Sequence, residues 1–223
     1  MHNKSPLSLA EAPDNCRRCS RLVELRQSLR KEQPDWWNAP VPAFGDPDAW
    51  LAIVGLAPGR DGANRTGRPF TGDASGDLLF ETIAKAGLSN GRFQSRVDDG
   101  VTLKGAIILN AVKCLPPQNK PTGTEIANCR PYMVKALEAL PNLRVILALG
   151  KIAHDSVVQM TGSTLAAHKF AHGAKHSLPD GRILIDSYHC SRYNLNTRRL
   201  TPEMFHAVFE SALRHSPARS PAR

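Results

Sequence analysis

The sequence predicts an α/β fold, a three-layer α/β/α sandwich around a central four-stranded parallel sheet. The first reason is that four short apolar runs alternate with segments whose apolar residues recur at helical spacing. The second is that 41% of the 223 residues are apolar, enough for a packed core, and no half of the chain repeats the other. We therefore expect a single domain over residues 16–215.

The first half of the chain is predicted to contain two helices and two strands. Leu22, Leu25 and Leu29 fall on one face of the first helix, and Leu79 and Ile83 are in register on the second. The strands are apolar and end in loops rich in Gly, Pro and Asn. The predicted helices are 17–31 and 76–86, and the predicted strands are 49–54 and 105–109.

The second half is predicted to add three helices and two strands. Thr122 can cap the first of these helices, and Glu125 suits its first turn. Pro202 suits the first turn of the last helix. The predicted helices are 122–140, 151–160 and 201–214, and the predicted strands are 144–149 and 182–187.

The chain ends and the overall charge indicate where the protein works and what it binds. Residues 1–15 are expected to be flexible and to lack a secretory signal. Residues 216–223, which repeat SPAR twice, are expected to form a disordered basic tail. The apolar runs are too short to span a bilayer, so we expect a cytoplasmic protein with no membrane partner. The net charge of +9 favours a polyanionic partner, although a basic surface without such a role remains open.

The functional site is expected where the parallel strands end, in loops 55–73, 110–117 and 189–196. The first loop, GLAPGRDGANRTGRPFTGDASGD, lacks the Gly-Lys-Ser/Thr ending of a phosphate-binding P-loop. The loop contains Phe70, which could stack on a base taken out of a duplex. It also contains Asp73, just beyond Phe70. A flexible connection and a core role for Phe70 are the alternatives.

Four of the five cysteines form two pairs, and the pairs can supply four thiolate ligands. Cys16 and Cys19 form the motif CRRC, and Cys114 and Cys129 follow with 14 residues between them. Both zinc and a [4Fe–4S] cluster accept four thiolates, so the spacing leaves both open. Cys190 is expected to be an inert small residue.

The motifs resemble the uracil-DNA glycosylase superfamily, and most closely its family 5, the B-type enzymes. The resemblance is carried by GLAPG at 55–59, NRTGR at 64–68, FTGD at 70–73, VKC at 112–114, CRPY at 129–132, and His189 followed by Ser191. It extends from Cys16 to about Phe205. Family 4 usually has an acidic residue at the position of Leu56. The chain departs from its relatives at Cys190, often proline, and at Arg198, often glycine.

The resemblance implies a monofunctional DNA glycosylase that hydrolyses the N-glycosidic bond of uracil, and of hypoxanthine and xanthine, in double-stranded DNA with the damaged base flipped out. It implies a structural [4Fe–4S] cluster on the four paired cysteines, and we expect a monomer. The implied catalytic residues are Asp73 for water (with Asp61 as runner-up), Asn110 for the base edge and His189 as donor to the base oxygen. The expected substrate-binding residues are Gly55, Leu56, Ala57 and Phe70. The expected DNA-binding residues are Arg65, Arg68, Lys113, Ser191, Arg192 and Asn194, with Tyr193 as part of a wedge.

Three alternatives stay open at this point. A family 4 enzyme would be restricted to uracil. A non-catalytic iron–sulfur module could bind nucleic acid, and a scaffold protein could bind zinc; neither needs Phe70, Asp73, Asn110 and His189 together. The three histidines of the basic segment 168–180, His168, His172 and His176, are interpreted as facing DNA and not as metal ligands.

Overall fold

A computed structural model describes residues 11–217. Helices and strands alternate through most of this range, as the sequence predicts. The strands are β1 (Phe44–Gly45), β2 (Leu51–Gly55), β3 (Ser89–Asn90), β4 (Thr102–Leu103), β5 (Ala106–Asn110), β6 (Val145–Leu149), β7 (Lys175–Ser177) and β8 (Ile183–Ser187). The helices are α1 (Ser20–Glu32), α2 (Ala63–Thr66), α3 (Ala74–Lys85), α4 (Gly123–Glu138), α5 (Lys151–Met160), α6 (Arg192–Asn196) and α7 (Pro202–Leu213), with a short 3₁₀ helix at Pro117–Asn119.

The central sheet has six strands in the order β1-β5-β2-β6-β8-β7. The four predicted strands are its centre and are all parallel to one another. Each edge adds a short antiparallel strand that the sequence analysis missed. These edge strands have two and three residues and no apolar run, so no periodic signal marks them.

Helices cover both faces of the sheet and complete the predicted sandwich. Helices α3 and α7 pack on one face through an apolar cluster that includes Leu79, Ile83 and Phe205. Helices α4 and α5 pack on the other face, with Met133 and Val157 in that cluster. Because both faces are covered, all residues of β2, β5 and β6 are buried, which explains why these strands are continuous apolar runs.

The predicted helix starts are largely confirmed. The side chain of Thr122 accepts a hydrogen bond from the backbone N–H of Glu125, and the Glu125 carboxylate accepts one from the backbone N–H of Thr122, which completes a capping box. Thr201 caps α7 in the same way, and Pro202 is its first residue. The predicted loop after β8 contains the short helix α6, which begins after its cap Ser191.

Parts of the predicted terminal segments lie outside the described residues, namely 1–10 and 218–223. Within the described part, Glu11 accepts a hydrogen bond from the backbone N–H of Ala43 at 2.7 Å. No helix among residues 11–217 is long and apolar enough to cross a membrane.

A buried polar cluster joins α5, β7 and β8. The Nε2 of His154 lies 2.8 Å from the carbonyl oxygen of His168, and its Nδ1 lies 2.7 Å from the Asp186 carboxylate. Both neighbours can only accept, so both ring nitrogens carry protons and His154 is an imidazolium. Burial is the largest single effect and lowers the pKa of His154, but the hydrogen bond and charge of Asp186, the His168 carbonyl and the charge of Asp155 together outweigh it and raise the pKa.

The interpretation of the segment's histidines as DNA-facing is wrong for two of them. His176 Nε2 lies 3.0 Å from the second Asp186 oxygen, and His172 Nδ1 accepts the backbone N–H of Tyr188 at 3.1 Å. Both side chains point inward, His176 to the Asp186 carboxylate and His172 to the Tyr188 backbone N–H, because buried polar groups need hydrogen-bond partners. His154 and His176 each lie within hydrogen-bond distance of Asp186, and the ligand atoms of the three side chains all lie within 4.8 Å of one another.

Replacing Asp186 with Asn tests the charge of this cluster. The variant leaves a buried imidazolium without its counter-ion, so the free energy of unfolding should fall by about 3 kcal/mol or more. Urea denaturation measures this. The control is Asp155→Asn, which removes a partly exposed pair with Lys151 on the same helix and should cost about 0.5 kcal/mol. Equal small losses in both variants would show that His154 is neutral.

Candidate active site

A cavity of about 620 Å³ opens at the carboxyl ends of β2, β5 and β8. The cavity therefore lies at the edge of the sheet where the sequence predicts the site, and it is large enough for a base. Its lining includes nine of the residues expected at the site or on DNA. They are Leu56, Ala57, Asp61, Phe70, Asp73, Asn110, His189, Ser191 and Arg192.

Gly55 does not itself line the cavity, but it leaves the space that two lining side chains, Asn110 and Phe70, occupy. A Cβ atom at this position would lie 2.5 Å from Asn110 Oδ1 and 2.9 Å from the Phe70 ring. Asn110 is only 3% exposed, and its Oδ1 has no hydrogen-bond partner among the described residues. A buried polar atom without a partner is costly, so the amide is suited to pair with a ligand.

Phe70 presents its ring beside His189. The two ring centroids are 5.8 Å apart and the planes are inclined by 26°. The backbone of Phe70 adopts a φ of 53°, in the left-handed region that is rare for a large side chain. Gly76 permits this turn, because a Cβ there would lie 2.0 Å from the Phe70 carbonyl oxygen.

Arg68 supports the Phe70 turn and does not face DNA, so its predicted DNA contact is wrong. The guanidinium donates to Thr71 Oγ1 at 2.7 Å and to both Asp99 oxygens at 2.8 and 2.7 Å. Its side chain is 6% exposed and lies over the rings of Phe44, Phe80 and Phe93. The guanidinium also holds the pKa of Asp99 well below its usual range. Arg68 is therefore buried together with Asp99, and its positive charge is not available at the protein surface.

Asp73 is fixed by the start of α3. Its Oδ1 accepts the backbone N–H of Ser75 at 3.0 Å, which makes it the N-cap. The other oxygen, Oδ2, packs against Gly62, where a Cβ would lie 2.2 Å away. Asp61, the runner-up for the acidic role, is 70% exposed and pairs with Arg60 at 3.3 Å. Asp73 is therefore the better oriented of the two carboxylates.

His189 is held in the cavity wall as a neutral group. Burial lowers its pKa, and the nearby Asp73 only partly opposes this shift. Asn194 donates its amide N–H to the His189 carbonyl oxygen at 2.8 Å, and Ser191 caps α6 by accepting from the Asn194 backbone. Asn194 therefore braces the histidine loop, while its contact with DNA stays a prediction.

Known proteins similar to this chain carry the same family names. The sequence profile of the uracil DNA glycosylase superfamily matches residues 42–213. The Type-5 uracil-DNA glycosylase of Thermus thermophilus is 47% identical over 204 residues, which cover 89% of this chain and 93% of that protein. The Type-5 enzyme of Pyrobaculum aerophilum is 43% identical over 202 residues, covering 89% and 88%.

This chain belongs to the type-5 uracil-DNA glycosylase family. A Type-4 uracil-DNA glycosylase of Archaeoglobus fulgidus is also similar, at 38% identity over 148 residues, but these cover only 66% of this chain and 60% of that protein. The expected family is thus confirmed, and the type-4 alternative matches a smaller part of the chain.

The structure shows the surroundings of Cys190 and Arg198, the two positions at which the sequence predicts a departure from relatives. Cys190 is fully buried, and its thiol donates to the Ser75 carbonyl oxygen at 3.3 Å, which suits the expected inert role. Arg198 has a φ of 55°, a backbone conformation that favours glycine. The glycine often present in relatives suits this conformation.

Lys113 is buried and does not reach DNA. Its predicted contact with a phosphate is therefore wrong, as it is for Arg68. Its side chain is 1% exposed, and its Nζ lies 3.3 Å from Glu11 Oε2. The backbone N–H of Lys113 donates to the Cys129 sulfur at 3.2 Å. Lys113 continues a buried stretch of the chain, because its neighbours Ala111 and Val112 are also buried.

Cys16, Cys19, Cys114 and Cys129 line one small cavity between α1 and α4. Arg26 donates to the Cys114 sulfur at 3.6 Å and Asn128 to the Cys19 sulfur at 3.8 Å. Burial raises the pKa of Cys114 to about 12 and of Cys129 to about 11, so an iron or zinc ion is needed to hold both as thiolates. The four side chains can therefore act as one ligand set.

The four sulfurs do not gather at a single point in the structure. Tetrahedral zinc with bonds of about 2.3 Å brings its sulfur ligands to roughly 3.8 Å from one another. No three of the four sulfurs lie within 4.8 Å of one another. An iron–sulfur cubane binds each thiolate at a different corner and so accepts the wider spacing.

Seven lining residues were not chosen as site residues from the sequence, and two of them have long polar side chains. These two are Arg60 and Asn119. Arg60 lies in the first loop and could have been found from its position there. Asn119 lies in PPQNKP with a φ of 56°, and only its Pro/Asn-rich surroundings signal a shaped loop.

Substituting Gly55 with Ala tests whether the floor of the cavity must be open. The added methyl would meet Asn110 and Phe70 at less than 3 Å, so uracil release should slow by roughly 10²-fold while the fold persists. A matched control is Gly123→Ala, where a Cβ meets nothing within 4 Å and activity should stay unchanged. A Gly55→Ala enzyme of full activity would place the base elsewhere.

Proposed function

We propose that this chain hydrolyses the N-glycosidic bond of uracil, and of other deaminated bases, in double-stranded DNA. The observation that carries this proposal is the cavity in which the unpartnered amide of Asn110, the Phe70 ring and His189 face a common space. A flipped base needs a stacking surface and polar groups that read its edge. Family membership supports the same activity.

Recognition of uracil would use the floor of the cavity. The Asn110 amide can donate to one atom of the base edge and accept from its neighbour. Phe70 offers its ring face to the base. These two side chains fix the base while the sugar stays at the cavity mouth.

The departing base accumulates negative charge, which His189 can stabilise. A neutral imidazole donates one N–H to the base oxygen and leaves the base as an anion, since it has no extra proton to give. Burial favours this neutral form by lowering the pKa of His189. The sugar accumulates positive charge, and the oriented carboxylate of Asp73 can stabilise it and hold the attacking water.

The reaction would be monofunctional and leave an abasic site. No lysine lines the cavity within the described part of the chain, so no amine is placed to form a Schiff base with the sugar. Lys113, which lies near Asn110 in the sequence, is paired with Glu11.

Small side chains at the cavity entrance favour a broad range of bases. Leu56 and Ala57 carry no polar group that rejects a purine by an unpaired charge. Hypoxanthine and xanthine present a carbonyl beside a ring N–H, as uracil does, so the Asn110 and His189 contacts can serve all three. Both also pair less well than the parent bases, which lowers the cost of flipping.

The mouth of the cavity would contact the rest of the duplex. Arg65 and Arg192 are exposed and can meet phosphates, whereas Ser191 and Asn194 shape the loop that carries Arg192. Tyr193 is 72% exposed on α6 and can fill the gap left by the flipped base.

The four paired cysteines would hold a structural [4Fe–4S] cluster. The cluster would tie α1 to α4, which are otherwise joined by the Arg21–Glu125 pair. Its role would be to stabilise the fold, since its ligands lie outside the cavity lining.

Asp73→Asn separates the catalytic carboxylate from its capping role, because Asn caps a helix as well as Asp does. Base release should slow by roughly 10²-fold or more in single-turnover assays. DNA affinity and thermal stability should change little. Asp61→Asn is the control and should retain most activity; the reverse result would move the acidic role to Asp61.

Iron content tests the cluster. Protein purified without oxygen should be brown and contain about four irons per chain. Cys114→Ser should lose iron, the visible absorption band and thermal stability, whereas Cys190→Ser should keep all three. Zinc in place of iron in the anaerobic protein would contradict the proposed cluster.

A panel of duplexes tests the proposed function itself. Each duplex carries one uracil, hypoxanthine or xanthine, and release is followed under single-turnover conditions with His189→Ala as the inactive control. We expect release of uracil and hypoxanthine, and of xanthine as well. Uracil release with no detectable hypoxanthine release would contradict the proposed broad substrate range, and no release of any base would reject the proposed activity.

A further inference from the structure

A shallow groove lies next to the base cavity, on the other side of α2. Ala63 and Arg60 line the cavity, whereas Arg65, Thr66 and Trp37 line the groove. The helix is therefore a wall shared by both. The backbone N–H of Trp37 donates to the Arg65 carbonyl oxygen at 3.0 Å, which ties the groove to this wall.

The groove combines a polar lining with two exposed apolar side chains. Among the described residues only four large hydrophobic side chains are exposed, and Trp37 (42%) and Val97 (57%) are both here. The Trp37 ring packs on Gly67, where a Cβ would lie 2.8 Å from it, and its indole N–H donates to the Pro40 carbonyl oxygen at 3.1 Å. The ring is thus held rigidly with part of its surface open.

Arg65 supplies a positive charge on the α2 side of the groove, whose lining also includes the carboxylates of Asp35 and Asp98. Arg65 is exposed and has no ion-pair partner in the part of the chain that the structure describes. Arg96 on the far side is neutralised by Asp98 at 3.1 Å. At the cavity end, Arg60 lies over the Trp36 ring at 5.3 Å, so aromatic and cationic groups continue from the cavity into the groove.

We infer that this groove binds the lesion-bearing DNA strand where it leaves the base cavity, with a base stacked on Trp37 and a phosphate on Arg65. The inference rests on the proposed function. Flipping one nucleotide unstacks its neighbours, and an exposed aromatic ring beside a free cation is the combination that binds unpaired strands without sequence preference. The continuity of the groove with the cavity favours this strand over a protein partner.

Intrinsic fluorescence tests the contact directly. The chain has three tryptophans, and Trp50 is 7% exposed at the amino end of β2, away from the cavity. A lesion-free single-stranded oligonucleotide should therefore quench Trp36 and Trp37 of the iron-loaded protein. Trp37→Leu should remove most of the quenching and weaken binding by at least about fivefold. Unchanged emission on DNA binding, or unchanged affinity in Trp37→Leu, overturns the inference.

Arg65→Gln gives a second test that does not alter the packing on Gly67. The slope of log Kd against log salt concentration should fall by about one unit, since one phosphate contact is lost. The control is Lys104→Gln, which removes the same charge from the exposed residue at the amino end of β5 and should leave the slope unchanged. Equal slopes in both variants contradict a phosphate contact at Arg65.

These measurements can fail separately from the proposed function. They read the binding of DNA that contains no lesion, so they do not depend on base release. A wild-type protein that binds the oligonucleotide through Trp37 but releases no base would reject the proposed activity alone. A protein that releases uracil but shows no Trp37 contact would reject the groove alone.

Discussion

The parallel pairing of β2 with β5 is the constraint on which the site depends. Gly55 and Asn110 are partners in this register, so the loops that follow both strands leave the sheet side by side. The glycine leaves space where the Asn110 amide needs it. A shift of one residue in register would turn Asn110 to the opposite face of the sheet, since side chains alternate along a strand.

Buried charge holds the rest of the first loop in place. The Arg68–Asp99 pair lies among three phenylalanine rings and anchors Thr71, which follows Phe70. This anchoring compensates for the left-handed backbone of Phe70, a conformation that persists only where its surroundings impose it. Thus Arg68, a cation that the sequence analysis assigned to DNA contact, serves the shape of the site instead.

The partners of two histidines set their charges in opposite directions. His154 lies between a carbonyl and a carboxylate, so its two hydrogen bonds require a proton on each nitrogen. His189 is buried beside Asp73 without such a pair of acceptors, and its pKa is lowered. One histidine therefore stabilises the fold as a cation, and the other is available to the site as a neutral donor.

The sequence by itself determined the four central strands, the principal helices, their caps and the edge of the sheet at which the cavity opens. These features follow from apolar periodicity and from side chains that bond to their own backbone neighbours, so the information is local. Only the tertiary structure decided that Arg68 and Lys113 are buried, that His176 turns inward and that Trp37 is exposed beside Arg65. Their partners lie far away in the chain, as with Glu11 and Lys113. A charge is buried or exposed according to those distant contacts, because the cost of removing it from water is met only when folding brings its counter-ion to it.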